Sequence, residues 1–307
     1  MFTRVTDQVY MVAPADHGSF PSSISFYIDD KTPTLIDTPL TIWSEAFKAS
    51  MGNHPVKKIL NTHYHRDHTG CNQLFPEADV HAHPADIPAM ISQDEFIRYY
   101  GFDQYADQAL TDEMMSWLKW LPSPVSHPLE DGQIIKLGEV ELTVIHTPGH
   151  TPGHCVFYWE KQGMLFSGDI DLTSFGPWYG NINSDITQLI TSIEKLINLN
   201  PRVVCSGHKG VIYHNVSGRL HKYLDRLLEK EDHILEALQQ PLTLDELVRR
   251  KLVYGKWGKA ESQYYYFEKL SIMVHLRRLI ELQQVEEYEG KYRSTGKSIP
   301  QCATALK

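Results

Sequence analysis

The chain is poor in cysteine. Its 307 residues include four cysteines, and no two of them form a CxxC pair. This spacing argues against a closed structural zinc site and against a disulfide framework. Apolar runs are also short, since none approaches the roughly 20 residues that a membrane-spanning helix requires. Met1 to Asp7 also lack the apolar segment of a secretory signal. We therefore expect a cytoplasmic protein with reduced thiols and no membrane contact.

Positive charge is also scarce. The chain has 29 Lys and Arg against 38 Asp and Glu, which gives a formal net charge of −9. Residues 215–307 hold 16 Lys and Arg against 13 Asp and Glu, a charge of +3, so residues 1–214 hold 13 against 25, a charge of −12. A region this acidic does not attract polyanions in general. Nucleic acid is therefore a partner that the charges do not favour, and a small-molecule substrate is preferred.

The most informative segment is the cluster His63-Tyr64-His65-Arg66-Asp67-His68. It directly follows the apolar run 56–60, which is typical of a strand. Four polar side chains of the metal-ligand type are costly to bury this close together unless positive charge lies among them. Two divalent cations would supply that charge. Imidazole and carboxylate ligands suit zinc, which is our first choice, as well as iron or manganese.

Three further motifs supply the ligands that this cluster lacks, and each of them follows an apolar run. They are His146-Thr147-Pro148-Gly149-His150, Ser167-Gly168-Asp169 and Ser206-Gly207-His208. Side chains at strand ends are held on a rigid scaffold and are exposed at one rim of a sheet. We therefore expect these residues to meet the first cluster at such a rim.

With HxHxDH, TPGH, SGD and SGH in this order, residues 1–214 resemble the metallo-β-lactamase superfamily. The resemblance implies an α/β fold in which two sheets are covered by helices on both outer faces, the αββα sandwich. It implies one metal bound by His63, His65 and His150, a second bound by Asp67, His68 and His208, and Asp169 as the bridge between them. It also implies that Asp37, within Leu35-Ile36-Asp37-Thr38, orients one of the ligands.

Other histidines need a separate interpretation because the chain has 16 of them. His154 repeats the context of His150 within Thr151-Pro152-Gly153-His154, and members of the superfamily often carry a non-ligand residue there. His81 and His83 are expected to be one buried and one exposed imidazole of a strand, and His146 a packing residue. For the proton that a leaving group needs, the candidates are metal-bound water, Tyr179 and His154.

Two segments between the motifs are rich in aromatic residues. Residues 84–128 form a long insertion, with a short helix expected over 113–121, and a connection of this length is usually functional. We expect either a helical cap that leans over the metal rim or a satellite core packed on the sandwich. Trp178 and Tyr179 follow Asp169 closely and are expected at the pocket edge. Beyond them, apolar residues recur at helical spacing over 186–197, and Ser184 can cap that helix.

After residue 214 the character of the chain changes. A long helical pattern covers 219–239, a capping box at Thr243–Glu246 opens a second helix, a third covers 264–282, and 285–292 is typical of a hairpin. The order resembles a winged-helix module such as the lactamase-β-like endoribonucleases carry. We therefore place a small second domain at 215–307. Such modules also serve dimerisation, so a homodimer is left open.

The expected chemistry follows from the metals. Two cations a few ångströms apart lower the pKa of a bridging water toward about 7. The resulting hydroxide attacks a carbonyl carbon or a phosphorus atom, and Asp67 directs its proton. The acidic catalytic region and the aromatic insertion favour a small ester, thioester or lactone as substrate. The alternatives are a metal-dependent endoribonuclease or phosphodiesterase, and a ligand-binding regulator whose winged helix reads DNA.

Overall fold

Two β-sheets lie face to face in the computed structural model, which describes residues 1–14 and 22–297. Within these residues the first sheet has the order β1-β2-β3-β4-β5-β6-β7 and the second the order β13-β12-β11-β10-β9-β8. The first comprises β1 (Phe2–Arg4), β2 (Val9–Val12), β3 (Ser25–Ile28), β4 (Thr34–Ile36), β5 (Lys58–Leu60), β6 (Asp79–Ala82) and β7 (His127–Pro128). The second comprises β8 (Ile134–Lys136), β9 (Glu141–His146), β10 (Cys155–Trp159), β11 (Met164–Gly168), β12 (Val203–Ser206) and β13 (Gly210–Ile212).

The side chains of β3 show how the layers form. All four of its residues are buried, because successive side chains point to opposite faces and both faces are covered. Phe26 joins the apolar cluster between the sheets, where its ring lies 5.6 Å from that of Phe166 on β11. Tyr27 joins the cluster on the outer face, together with Phe47. The predicted αββα sandwich is confirmed.

The described residues also form ten α-helices. They are α1 (Ser44–Met51), α2 (Arg66–Thr69), α3 (Ile87–Ile91), α4 (Gln93–Tyr100), α5 (Phe102–Tyr105), α6 (Gln108–Leu118), α7 (Ile186–Leu199), α8 (Val216–Ala237), α9 (Leu244–Arg249) and α10 (Glu261–Glu281). Phe47 of α1 packs on the first sheet, and Leu189 of α7 packs on the second. Throughout the described parts of the chain, every helix is too short or too polar to traverse a lipid bilayer.

The expected cap of α7 is wrong. Asp185, not Ser184, is its N-cap, and the Asp185 carboxylate accepts a hydrogen bond from the Gln188 N–H at 2.9 Å. The Ser184 hydroxyl instead donates to the carbonyl oxygen of His150 at 2.9 Å. The start of α7 is thereby tied to the loop that carries a candidate ligand.

The insertion at 84–128 is helical, as predicted, and contains α3 to α6. Its last helix begins earlier than expected, at Gln108, because the Asp107 carboxylate caps it by accepting from the Leu110 N–H at 2.8 Å. Many of its aromatic rings are buried in the cluster on the outer face of the first sheet, as a satellite core would require. Tyr100 also lies beside the ring of His65, as a cap would require.

Residues 215–297 contain the predicted helices and hairpin. Thr243 and Glu246 form the capping box at the start of α9, and β15 (Val285–Tyr288) pairs with β16 (Lys291–Ser294). The strand β14 (Leu242–Thr243) pairs with the other side of β16. Leu220 and Leu227 of α8 belong to the same buried cluster as Leu189 of α7. The segment is therefore continuous with the core of the sandwich, while its winged-helix identity and the boundary at 214/215 stay predictions.

Candidate metal centre

The candidate ligands meet at one rim because their loops follow strands that end there. The cluster that begins at His63 follows β5, and His150 follows β9. Asp169 directly follows β11, and His208 follows its parallel neighbour β12. The Gly207 N–H donates to the carbonyl oxygen of Gly168 at 3.1 Å, which holds the last two loops side by side. The structure thus brings together all seven residues expected at this rim.

His63, His65 and His150 form one group, here named the trihistidine half. The Nδ1 atom of His65 lies 2.9 Å from Nε2 of His63 and 3.1 Å from Nε2 of His150. Nitrogen ligands that bind one zinc ion tetrahedrally, each at 2.0–2.1 Å, lie about 3.3 Å from one another. The spacing of the three imidazoles is therefore that of a shared cation.

Asp67, His68 and His208 form a second group, the carboxylate half. The Oδ2 atom of Asp67 lies 3.7 Å from Nε2 of His68 and 3.6 Å from Nε2 of His208. Asp169 lies between the halves. Its Oδ1 is 2.9 Å from Nε2 of His68 and 3.2 Å from Nε2 of His208, and its Oδ2 is 3.3 Å from Nε2 of His150.

The chemistry of the trihistidine half fits a divalent cation. A neutral imidazole has one N–H and one lone pair, so three ring nitrogens that face one another cannot all be satisfied by hydrogen bonds. His63, His65 and His150 are each at most 3% exposed, which keeps water from separating them. A cation among them accepts all three lone pairs at once.

The opposite ring nitrogen of each histidine is held by a polar partner. These pairs are His63 Nδ1 with Thr62 Oγ1 (2.9 Å), His65 Nε2 with the Asn181 amide (2.8 Å), His68 Nδ1 with Asp37 Oδ2 (2.8 Å), His150 Nδ1 with the carbonyl of Trp178 (2.8 Å) and His208 Nδ1 with the carbonyl of Ser22 (2.9 Å). Beside His63, His68, His150 and His208 the partner is an oxygen, which can accept the proton of the outer nitrogen and leave the inner lone pair available. Beside His65 it is the amide nitrogen of Asn181, which is a donor. The resemblance implied that Asp37 orients one of the ligands, and in the structure it contacts His68.

The two halves differ in protonation. Burial lowers the pKa of His63 and that of His65 well below 6.5, and neighbouring imidazoles lower both further. Burial also opposes a charge on His208, but Asp169 and Asp67 outweigh it and raise its pKa to about 10. The same carboxylates raise the pKa of His68 well above 6.5 against its burial. Without cations, the carboxylate half therefore holds protonated imidazoles and the trihistidine half neutral ones.

The two side chains proposed as leaving-group acids are not placed for that role. His154 is fully buried, its Nε2 accepts from the Asp169 N–H at 3.2 Å, and its Nδ1 lies 2.8 Å from Thr147 Oγ1. Tyr179 is 1% exposed, and its hydroxyl lies 3.0 Å from Nε2 of His275. Both predictions are corrected accordingly: His154 holds the backbone of the candidate bridging residue, and Tyr179 belongs to the core.

Aromatic rings border the trihistidine half. The ring of Trp178 lies 5.3 Å from that of His65 and 5.7 Å from that of His150. The ring of Tyr100, from the insertion, lies 5.3 Å from that of His65. The indole N–H of Trp178 donates to the Tyr254 hydroxyl at 2.8 Å, which links this border to the C-terminal segment. Trp178 therefore lies beside the trihistidine half, whereas Tyr179 lies in the core; a pocket edge at Trp178 stays a prediction.

Several residues that position the site carry no recognisable motif. The buried Asp86 accepts from the Tyr64 N–H at 3.1 Å, from the Gly153 N–H at 2.7 Å and from the Thr151 hydroxyl at 2.7 Å. It thereby ties the loop after β5 to the loop after β9. Burial raises the pKa of Asp86 to about 7 although these hydrogen bonds lower it. Asn181 has no sequence signal beyond its closeness to Trp178.

Arg66 stands inside the ligand cluster but binds elsewhere. Its buried guanidinium donates to the carbonyl oxygens of Leu121 at 3.2 Å and Lys119 at 3.1 Å. Arg66 therefore connects the end of the insertion to the rim that carries the candidate ligands. A charged residue among ligands that is not itself a ligand is the one sequence signal that could have found it.

The remaining strand histidines pack outside the site. His81 is buried at 5% exposure, as expected, and the rings of His83 and His146 stack at 4.0 Å. His83 is half-buried and not exposed, because His146 covers it. These histidines therefore belong to the outer contacts of the sheets.

Comparison with known proteins agrees with this arrangement. The family model described as the metallo-beta-lactamase superfamily matches residues 17–208, more than half of the chain. Atrochrysone carboxyl ACP thioesterase dmxR1 of Cryptosporiopsis sp. is 26% identical over 213 residues, which are 67% of this chain and 54% of that protein. The chain thus spans about half the length of this fungal relative. The probable metallo-hydrolase YybB of Bacillus subtilis is 27% identical over 194 residues, 62% of this chain and 81% of that protein.

A solved structure extends the similarity to the C-terminal segment. The metallo-beta-lactamase family protein TTHA1429 of Thermus thermophilus superposes with a TM-score of 0.75 at 23% identity, covering 95% of this chain and 100% of that one. At this identity the likeness shows the fold alone. Together with the family match and the clustered His and Asp side chains that could bind metal ions, it leads to one conclusion. The chain belongs to the metallo-beta-lactamase superfamily.

Proposed function

We propose that this protein is a dinuclear metal-dependent hydrolase that cleaves a thioester, within the wider class of small esters, thioesters and lactones. The observation that carries the dinuclear part is the position of Asp169. One carboxylate oxygen faces the trihistidine half and the other faces the carboxylate half. A carboxylate that presents each oxygen to a separate set of ligands is the natural bridge between two cations.

His63, His65 and His150 would hold one cation, and Asp67, His68 and His208 the other, with zinc first and iron or manganese as the other metals that suit these ligands. Two bound divalent cations would polarise a carbonyl group and acidify a water molecule enough to attack it at neutral pH. Asp67 is the carboxylate of the second set, and it would hold a proton of that water and direct it. Trp178 and Tyr100 give the trihistidine half an apolar border that limits access of bulk water.

The leaving group favours a thioester over an ordinary ester. Neither His154 nor Tyr179 is placed to protonate a departing group. A thiolate leaves without a proton at neutral pH far more readily than an alkoxide, because the pKa of a thiol is about 8.5. The name of the fungal relative, an acyl carrier protein thioesterase, supports the same substrate class.

The test is turnover of a panel of thioesters, esters and lactones by protein reconstituted with zinc, iron or manganese. We expect thioester hydrolysis that Asp169→Ala abolishes while the circular dichroism spectrum is retained. His146→Ala is the control. His146 belongs to the same short motif as the candidate ligand His150, but its ring stacks on that of His83 outside the site. Equal turnover by Asp169→Ala, or no thioester turnover by fully loaded protein, contradicts the proposal.

Cleavage of RNA is the second candidate. It rests on the helix and hairpin order of residues 215–297 and places a polyanion on a chain whose first 214 residues carry a charge of −12. We rank it below thioester hydrolysis for that reason. The regulator with a DNA-binding winged helix, the homodimer and the cytoplasmic location stay predictions from the sequence.

A further inference from the structure

A hollow beside the metal centre is lined by cations. It has a volume of about 160 Å³, and the cationic side chains around it are Lys209, Arg219, Lys222 and Arg226. Arg219, Lys222 and Arg226 recur at intervals of three and four residues on α8, which places them on one face of the helix. Lys209 joins them from the loop that carries His208. All four residues are exposed.

The hollow adjoins the carboxylate half. Tyr223, which also lines it, donates its hydroxyl proton to the carbonyl oxygen of Asp169 at 2.9 Å and accepts from the Asp171 N–H at 3.3 Å. Opposite α8 the wall is formed by the loop after Asp169, including Thr173 and Ser174. The hollow therefore lies between α8 and the segment that bears the candidate bridging residue.

Four cations converge on this hollow, although the whole chain carries a net charge of −9. Lys209 comes from the acidic residues 1–214, and the other three come from α8. Arg226 pairs with Glu229 at 2.6 Å. Among the described ion pairs within 4.0 Å, Lys209, Arg219 and Lys222 have no carboxylate partner. Such a cluster attracts an anion, and the Thr173 and Ser174 hydroxyls offer neutral donors to the same ligand.

We propose that this hollow binds a phosphate group on the thiol half of the substrate, that is, of a thioester carried by a phosphopantetheine arm. The inference rests on the proposed thioester hydrolysis and names its substrate class. Guanidinium and ammonium groups together with hydroxyls recognise phosphate oxygens. A hollow of about 160 Å³ has room for one such group. Coenzyme A and an acyl carrier protein both present this chemistry.

The double variant Arg219→Glu with Lys222→Glu tests the hollow. Its substrates are one acyl group carried on coenzyme A, on an acyl carrier protein, and on N-acetylcysteamine, which has a thiol but no phosphate. We expect KM for the coenzyme A thioester to rise at least about tenfold, the equivalent of 1.4 kcal/mol. We expect kcat to stay within about twofold and KM for the N-acetylcysteamine thioester to be unchanged. Rising salt should raise the KM of the wild type toward that of the double variant, and only for the phosphate-bearing substrates.

The matched control is Lys31→Glu with Lys48→Glu, which makes the same charge change at exposed lysines outside the hollow. It should leave all three KM values at the wild-type level. A rise in KM for every substrate, or for none, overturns the proposal. The carrier that gives the lower wild-type KM and the larger loss in the variant is the source of the phosphate.

Failure of the proposed thioester hydrolysis can be distinguished from failure of the proposed phosphate site. If no thioester is hydrolysed, calorimetric titration of free coenzyme A into the wild type and the double variant still shows whether the hollow binds phosphate. Binding that the double variant loses and the control retains supports it, and equal or absent binding overturns it. Cleavage of single-stranded RNA that only the double variant loses would assign the hollow to RNA and also overturn the proposal.

Discussion

The trihistidine half and the carboxylate half use the same imidazole ligand in opposite electrostatic settings. His63 and His65 have a lowered pKa because they are buried beside other imidazoles. His68 and His208 have a raised pKa because Asp67 and Asp169 outweigh their burial. The carboxylates that separate the two sets of ligands are Asp169 first and then Asp67, with Asp37 acting on His68 as well. A cation would meet neutral imidazoles in the first half and would have to displace protons in the second.

Loss of the residue shared by both halves should have the largest effect. Asp169→Ala is expected to lower kcat/KM by at least about 1,000-fold, beyond the 10- to 100-fold typical of residues that only orient ligands. It should also lower the metal content of both halves, because each loses one carboxylate oxygen. Metal analysis and steady-state kinetics measure this. Asp103→Ala, at an exposed helix position, is the control, and retention of two metals by Asp169→Ala would contradict the bridge.

Proton release should distinguish the halves next. At pH 7–8 we expect filling of the carboxylate half to release about two protons, from His68 and His208, and filling of the trihistidine half to release almost none. The sign follows from the raised pKa of His208, about 10, since its proton is present below that pH and competes with the cation. Cation affinity of this half should therefore rise with pH up to about 10.

Titration calorimetry in buffers of different ionisation enthalpy measures these protons. His63→Ala leaves the carboxylate half to be titrated, and His208→Ala leaves the trihistidine half. Equal proton release from the two variants would show that the halves do not differ in protonation.

Residues behind the ligands should give smaller and selective effects. Asp37→Asn removes the carboxylate beside His68 Nδ1, and Asn181→Ala removes the amide beside His65 Nε2. We expect each to weaken one cation by about 10- to 100-fold, in the carboxylate half and the trihistidine half respectively. Zinc competition with a chromophoric chelator resolves the two affinities. If both variants weaken both cations equally, these contacts act on the fold and not on individual ligands.

The smallest expected effect comes from the C-terminal segment. Tyr254→Phe removes the hydroxyl that accepts from the Trp178 indole, and the Trp178 carbonyl holds His150. A neutral hydrogen bond contributes about 1 kcal/mol, so the cation of the trihistidine half should bind about fivefold more weakly. The same zinc competition detects it. Tyr288→Phe is the control, because Tyr288 is 72% exposed. An equal effect of this variant would contradict a specific role of the Tyr254 hydroxyl.

The sequence predicted best what a short motif encodes. The residues from His63 to His68 and the three later motifs place ligand-type side chains directly after apolar runs, so their convergence at one rim follows from the strands alone. The predicted hairpin and the α9 capping box are equally local.

Prediction from the sequence failed where a residue distant along the chain decides the role of a side chain. His154 has the same local context as His150, but Thr147 and the Asp169 backbone use both of its ring nitrogens. Tyr179 is withdrawn from the pocket by His275, 96 residues further along the chain. The cationic hollow was missed because net charge averages over a region, whereas α8 concentrates its cations on one face.

The buried cluster that joins α7 to α8 has a practical consequence for dissection of the molecule. Leu189 and Ile193 are covered by the same apolar mass that contains Leu220 and Leu227. A fragment that stops at residue 214 would expose this apolar surface to solvent, and such a surface promotes aggregation. The carboxy-terminal third covers apolar residues of α7, so biochemical work on the candidate metal site should use a chain that includes it.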